Sequence, residues 1–203
     1  MTRIAVISAG LAQPSSTRLL ADRLAAAADR ALTASGRAAH FDVIELRDHA
    51  LDLAKNLVAG FPAAGLRETI GTVADADGII AVTPIFNASY SGLFKTFFDV
   101  LEPDSLTGMP VLIGATGGTS RHSLALEHAV RPMFTYLRSV VVPTSVYAAS
   151  EDWASADADG LSARIDRAAV EFADALATTH HDRPSDPYDE PVPFARLLGG
   201  TAS

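Results

Sequence analysis

Three segments of the sequence combine hydroxyls, glycines and aromatic rings in spacings that could hold a phosphate and a flat ring. The first is Ser8-Ala9-Gly10-Leu11-Ala12-Gln13-Pro14-Ser15-Ser16-Thr17-Arg18, where a short apolar run gives way to a helical pattern. Three consecutive hydroxyls and an arginine stand at that helix start. Free N–H groups and the helix dipole favour anions there, by ~0.3–2 kcal/mol for a single charge. The plainer role of Ser15 or Ser16 is a helix cap, yet one cap does not need a hydroxyl triplet behind a long loop. The second segment is Thr83-Pro84-Ile85-Phe86-Asn87-Ala88-Ser89-Tyr90-Ser91-Gly92-Leu93-Phe94-Lys95. Phe86 and Tyr90 offer flat apolar contact beside a crevice, or else pack into the core. The third is Thr116-Gly117-Gly118-Thr119-Ser120-Arg121-His122, whose paired glycines let backbone N–H groups approach the edge of a planar ligand.

Other chemistries lack their residues. Neither Gly-x-Gly-x-x-Gly nor Gly-Lys-Ser/Thr occurs, so a mononucleotide phosphate suits the first loop better than a dinucleotide or a Walker-type site. Gly-x-Ser-x-Gly is absent, which argues against an α/β-hydrolase. Ser8 and Thr83 stand where a response regulator would carry acids. There is no cysteine, hence no thiol redox chemistry, Fe–S ligation or Cys-type zinc site. Only His180 and His181 are adjacent among the histidines, and the expectation for them is a solvated pair or an adventitious metal contact. No acid–base pair converges on the three loops. The expectation is therefore no catalytic side chain and no metal ligand, with a cofactor carrying the reaction and the protein positioning it.

The elements that must position these loops alternate. Apolar runs of strand length cover Arg3–Ser8, His40–Leu46, Gly78–Thr83, Pro110–Thr116 and Val140–Ala148. Helical patterns cover Ser15–Ser35, stopped by Gly36, then Leu66–Ala76, Ser91–Leu101, Ser123–Leu137 with Pro132 as a kink, and Leu161–Thr178. Such alternation predicts a single α/β domain, a doubly wound five-stranded parallel sheet with ligands beyond the carboxyl ends of its strands. It spans residues 1–179. The Pro-, Asp- and Gly-rich remainder, 180–203, is expected to be a tail, either frayed or laid as an arm on a neighbouring subunit. The 203 residues carry 24 acids against 16 bases, a net charge of −8, with no basic block to suit a nucleic acid. No run approaches the ~20 apolar residues of a membrane span, and the N-terminal run is too short for a signal peptide; a cytoplasmic protein is expected.

Ala81 to Lys95, followed by Gly114-Ala115-Thr116-Gly117-Gly118-Thr119, resembles the NAD(P)H-dependent FMN reductase family. The closest likeness is to reductases that supply reduced flavin to two-component monooxygenases, and it runs from Ile4 to about Trp153. The resemblance implies a flavodoxin-like fold with FMN held by the three loops. Ser8, Gln13, Ser15, Ser16 and Thr17 would bind the phosphate. Pro84, Ile85, Phe86 and Asn87 would line the ribityl chain and ring, and Thr116, Gly117, Gly118 and Thr119 would face the pyrimidine edge. NADPH or NADH would stack on the flavin as co-substrate. Relatives often carry an Arg where this chain has Gln13, with Arg18 as the compensating candidate. His128 occupies the place where related reductases insert a residue that makes a π-bulge at a subunit interface, which implies a homo-oligomer, dimer or tetramer, and a partner monooxygenase. The alternatives are an FMN-bound quinone, azo or metal-oxyanion reductase and a flavodoxin-type electron carrier.

Overall fold

Ile4–Ile7, Ile79–Val82 and Val111–Ile113 are fully buried, as strands covered on both faces must be. A computed structural model describes residues 1–102, 104–154, 158–179 and 181. Its elements run β1 (Thr2–Ser8), α1 (Ser16–Ala34), β2 (Ala39–Glu45), α2 (Ala50–Ala59), α3 (Ala64–Ala74), β3 (Gly78–Phe86), β4 (Ser89–Tyr90), α4 (Gly92–Asp99), β5 (Pro110–Gly117), α5 (Arg131–Tyr136), β6 (Val140–Val141), β7 (Val146–Ala149), α6 (Ser150–Ala154) and α7 (Ala158–Thr178). The sheet order is β2-β1-β3-β5-β6, with β7 continuing beside β5; every pair is parallel except the β3–β4 hairpin. This is a flavodoxin-like α/β domain.

Two apolar layers cover the sheet. On one face α1 and α7 pack Leu20, Leu24, Leu32, Ile165 and Phe172 against Ile4, Val6 and Ile80. On the other, α4 contributes Phe94, Phe97 and Phe98; Phe94 and Phe98 meet Phe134 of α5 edge-on, with the Phe98–Phe134 centroids 4.9 Å apart, and Phe97 meets Phe98. Such aromatic pairs add ~0.5–1.5 kcal/mol each beyond the area they bury. They anchor the helices on either side of the second and third loops.

Seven strands stand where five were expected, for two local reasons. The second loop is a hairpin: Asn87 (φ 48°) and Ala88 (φ 69°) turn the chain so that β4 pairs back on Ile85 and Phe86. The segment Val140–Ala148 breaks in the middle. β6 pairs Val140 with Pro110 and β7 pairs Val146 with Gly114, so Val142-Pro143-Thr144-Ser145 face only Leu112 and Ile113. Pro143 has no N–H to give the ladder. Side chains satisfy the looped-out backbone instead. Arg131 donates to the carbonyls of Val142 and Pro143, both at 2.9 Å, and Glu171 accepts from the Thr144 N–H at 2.6 Å and its hydroxyl at 2.7 Å.

Helix α2 and the 3₁₀ turn Leu46–His49 before it were not expected. Exposed Leu51, Leu57 and Val58 accompany buried Leu53, which blurs the helical period in the sequence. The helix expected over Ser123–Leu137 is also divided. A π-helical turn, Leu126–Val130, precedes α5, and the Arg131 N–H reaches back to the Leu126 carbonyl. Pro132, which follows, cannot supply the i+4 donor that the His128 carbonyl would take in a regular helix.

The 180–203 tail lies outside the described residues except for His181. The Nδ1 of that side chain meets the Thr107 carbonyl at 2.8 Å, and His180, the other member of the expected pair, lies outside the described residues. Among the described residues no cluster suits a metal ion, and no helix is long and apolar enough to cross a membrane.

Candidate cofactor site

Register brings the three loops to one level. Ser8 pairs with Val82, and Pro84 with Thr116, so the chain leaves β1, β3 and β5 side by side at their carboxyl ends. A cleft of about 290 Å³ opens there, lined by Ser16, Pro84, Ile85, Phe86, Thr116, Gly117, Gly118, Ser150 and Trp153. Seven of those nine are residues singled out in the sequence.

The hydroxyl triplet divides its labour. Ser15 caps α1, its Oγ accepting the Arg18 N–H at 3.2 Å, so the plain capping role holds while its own O–H stays free to donate. Ser16 faces the cleft. Thr17 is buried, and its hydroxyl lies 2.8 Å from that of Thr116, bolting the first loop to the third. Ser8 Oγ is buried without a hydrogen-bond partner among the described residues. Gln13 is exposed on the loop. Close packing shapes the loop as well: a Cβ on Gly10 would lie 2.1 Å from Ser15 Oγ.

In the second loop Phe86 is 46% exposed and lines the cleft, whereas Tyr90 packs toward Phe94 of the core at 6.0 Å. The two alternatives for these rings are thus split between them. Asn87 sits exposed in the hairpin turn. Thr83 holds the base of the loop by accepting the Ser91 N–H at 3.1 Å.

The third loop rests on Tyr147. Its hydroxyl donates to the Thr119 carbonyl at 2.8 Å, and a Cβ on Gly117 would lie 2.0 Å from that oxygen. Burial pushes the Tyr147 phenol above its ordinary pKa, with the charges of Glu151 and Asp152 adding to the effect. Thr119 Oγ1 accepts the Arg121 N–H at 3.4 Å, and Glu151 accepts that of Ser120 at 3.3 Å.

Sequence reading missed Ser150 and Trp153 in the cleft wall. Trp153 lies under the Arg23 guanidinium, 5.0 Å from ring centroid to Cζ; being the sole tryptophan, at the end of the likeness, was its one signal. Arg18, the candidate phosphate cation, is engaged elsewhere. It pairs with Asp22 at 2.8 Å and Glu45 at 2.5 Å, and these carboxylates, Asp22 foremost, raise its pKa.

His128 is exposed in the π-helical turn. It borders a second hollow, of about 510 Å³, with Tyr90, Lys95, Met133 and Tyr136, away from the three loops.

The chain is similar to known proteins in sequence and fold. The family model for NADPH-dependent FMN reductase matches residues 2–154. An FMN reductase (NADPH) of Pseudomonas aeruginosa is 34% identical over 151 residues, 74% of this chain and 78% of that one. The NADH-dependent FMN reductase SfnF of Pseudomonas fluorescens is 34% identical over 180 residues, 88% and 93% of the two chains. Among solved structures, an oxidoreductase from Corynebacterium diphtheriae superposes with a TM-score of 0.85 at 45% identity, covering 87% of this chain and 97% of that one. An NADH:FMN oxidoreductase in its apo form gives 0.76 at 30% identity, over 94% and 100%. Sequence likeness and strand-end geometry meet on the same loops: the chain belongs to the NADPH-dependent FMN reductase family, oxidoreductases that work with FMN and a reduced nicotinamide.

Proposed function

We propose that the protein reduces FMN with NADH or NADPH at the three-loop cleft and releases reduced flavin to a partner monooxygenase. The cleft carries this reading, because the residues present suit FMN. Ser8 Oγ is buried and lacks a partner among the described residues, a state that a ligand acceptor or donor would relieve. The Ser15 hydroxyl and the first N–H groups of α1 offer donors to a phosphate. Gly117 and Gly118 leave backbone within reach of a ring edge, and Phe86 and Trp153 supply apolar walls. Bound there, FMN supplies a ring that takes a hydride from the nicotinamide and gives up its electrons to an acceptor. The protein's part is to bind, orient and exclude water. Ser8, Gln13, Ser15, Ser16 and Thr17 hold the phosphate; Pro84, Ile85, Phe86 and Asn87 flank the ring and ribityl chain. Thr116, Gly117, Gly118 and Thr119 face the pyrimidine edge.

Transfer to a monooxygenase is supported by the resemblance carried by residues 81–95 and 114–119; FMN reduction itself is supported by the relatives SfnF and SfnE, NADH-dependent FMN reductases of Pseudomonas 32–34% identical to this chain. A homo-oligomer is supported by the exposed apolar side chains of Leu51, Leu57, Val58 and Phe61 on or beside α2 and of Tyr136 at the end of α5.

Pyridine-nucleotide absorbance with NADH and then NADPH, with and without added FMN, tests the reading. Oxidation that requires free FMN is the expected result. No oxidation under any condition would overturn it, and a yellow protein that reduces quinone without added FMN would replace it with the quinone-reductase alternative.

A further inference from the structure

The first loop is held in shape from the neighbouring strand, and we infer that Arg47 is a positioning residue for recognition of the FMN phosphate. This rests on the assignment of the first loop to the phosphate. Ser8 and Glu45 are paired in register, so the turn after β2 runs beside the loop after β1. The Arg47 side chain is only 18% exposed. Its Nη1 donates to the Ala12 carbonyl at 2.9 Å, Nη2 pairs with Glu45, and Nε lies 3.7 Å from Asp48. Glu45 grips Arg18 on the first turn of α1 with its other oxygen. The loop is thereby closed into a ring: Ala12 to Arg47, Arg47 to Glu45, Glu45 to Arg18.

Among the described residues, Arg47 makes the one hydrogen bond from another element to residues 10–14. Leu11, Ala12, Gln13 and Pro14 are all exposed, so packing does little to order them. A loop that must present N–H groups to a dianion binds more weakly if binding also has to order it. Carboxylates already neutralise the Arg47 charge, so its contribution is shape. A planar guanidinium can serve Ala12 and Glu45 at once; an ammonium on a flexible stem cannot hold that geometry.

Arg47→Ala is expected to raise the KM for FMN about tenfold, the value of one charge-assisted hydrogen bond. The kcat at saturating FMN and the KM for nicotinamide stay within about twofold, and so does the KM with riboflavin, which lacks the phosphate. Arg47→Lys recovers part of the loss. An unchanged KM for FMN overturns the inference, as does an equal loss toward FMN and riboflavin. Should Arg47→Ala fail to fold, Glu45→Gln carries the same test with a smaller expected rise. Ser15→Asp, which sets a negative charge at the phosphate position, separates this inference from its foundation. FMN affinity unchanged in Ser15→Asp overturns the phosphate assignment itself; affinity lost there but kept in Arg47→Ala overturns the role of Arg47 alone.

Discussion

At Gly117 the side chain is absent because another residue occupies its space. The Tyr147 hydroxyl fills the position of the missing Cβ and ties down the Thr119 carbonyl. Gly117→Ala should lower the unfolding free energy by about 1–3 kcal/mol, the usual cost of overpacking. In a Tyr147→Phe background, with the colliding oxygen removed, the same substitution should cost less than half as much. Equal losses in denaturant melts of the two pairs would show that the collision is not the cause. The glycine pair was legible in the sequence as a place of close approach. Its partner was not, since Tyr147 lies in a run that reads only as an apolar strand. The hydroxyl triplet shows the same limit. Its three members are consecutive and all carry hydroxyls, yet one caps, one faces the cleft and one is bolted to Thr116, 99 positions away.

Among the elements, the π-helical turn and the broken edge strand form one unit. Arg131 binds Glu127 at 2.6 Å within the turn and donates to the looped-out carbonyls of Val142 and Pro143, while Ser145 donates to Glu127 at 2.6 Å. The Arg131 guanidinium, helped by Ser145, holds the Glu127 carboxyl below its ordinary value of 4.5. A carboxyl whose folded pKa is depressed stabilises the fold above its unfolded value and loses that contribution as pH falls through the folded one. Stability of the wild type should therefore fall more steeply below about pH 4.5 than that of Glu127→Gln. Parallel slopes in acid titrations followed by circular dichroism would refute this. The sequence showed an apolar stripe running through 124–137 and a suspect Pro132. It could not show that the preceding turn widens, because the stripe survives an extra residue in one turn.

For the whole molecule, the strand alternation and the three loops were readable because each is a contiguous stretch with its own apolar period or turn chemistry. The tethers that set the cleft's shape were not, being pairs brought together only by the sheet, such as Arg47 with Ala12. The homo-oligomer proposed above would need apolar surface to bury. Leu51 is 77% exposed, Val58 91% and Phe61 67% on or beside α2, and Tyr136 is 87% exposed at the end of α5. Stable interfaces bury roughly 800 Å² per partner around apolar centres. Light scattering should give a mass at least twice the 21.2 kDa of one chain, and Val58→Asp should reduce it. A wild-type monomer at micromolar concentration would exclude assembly through these faces.

The interrupted strand at β6 and β7 limits how such an assembly can be built. An intact outer strand offers a row of unpaired donors and acceptors on which a foreign strand can grow. Here the ladder breaks after the Val142 N–H, the next residue is proline, and the carbonyls of Val142 and Pro143 are already held by Arg131. Sheet-to-sheet extension, the common route from edge strands to fibrils, is blocked along that border, so copies of the chain that assembled would have to meet through helix faces or the opposite border at β2.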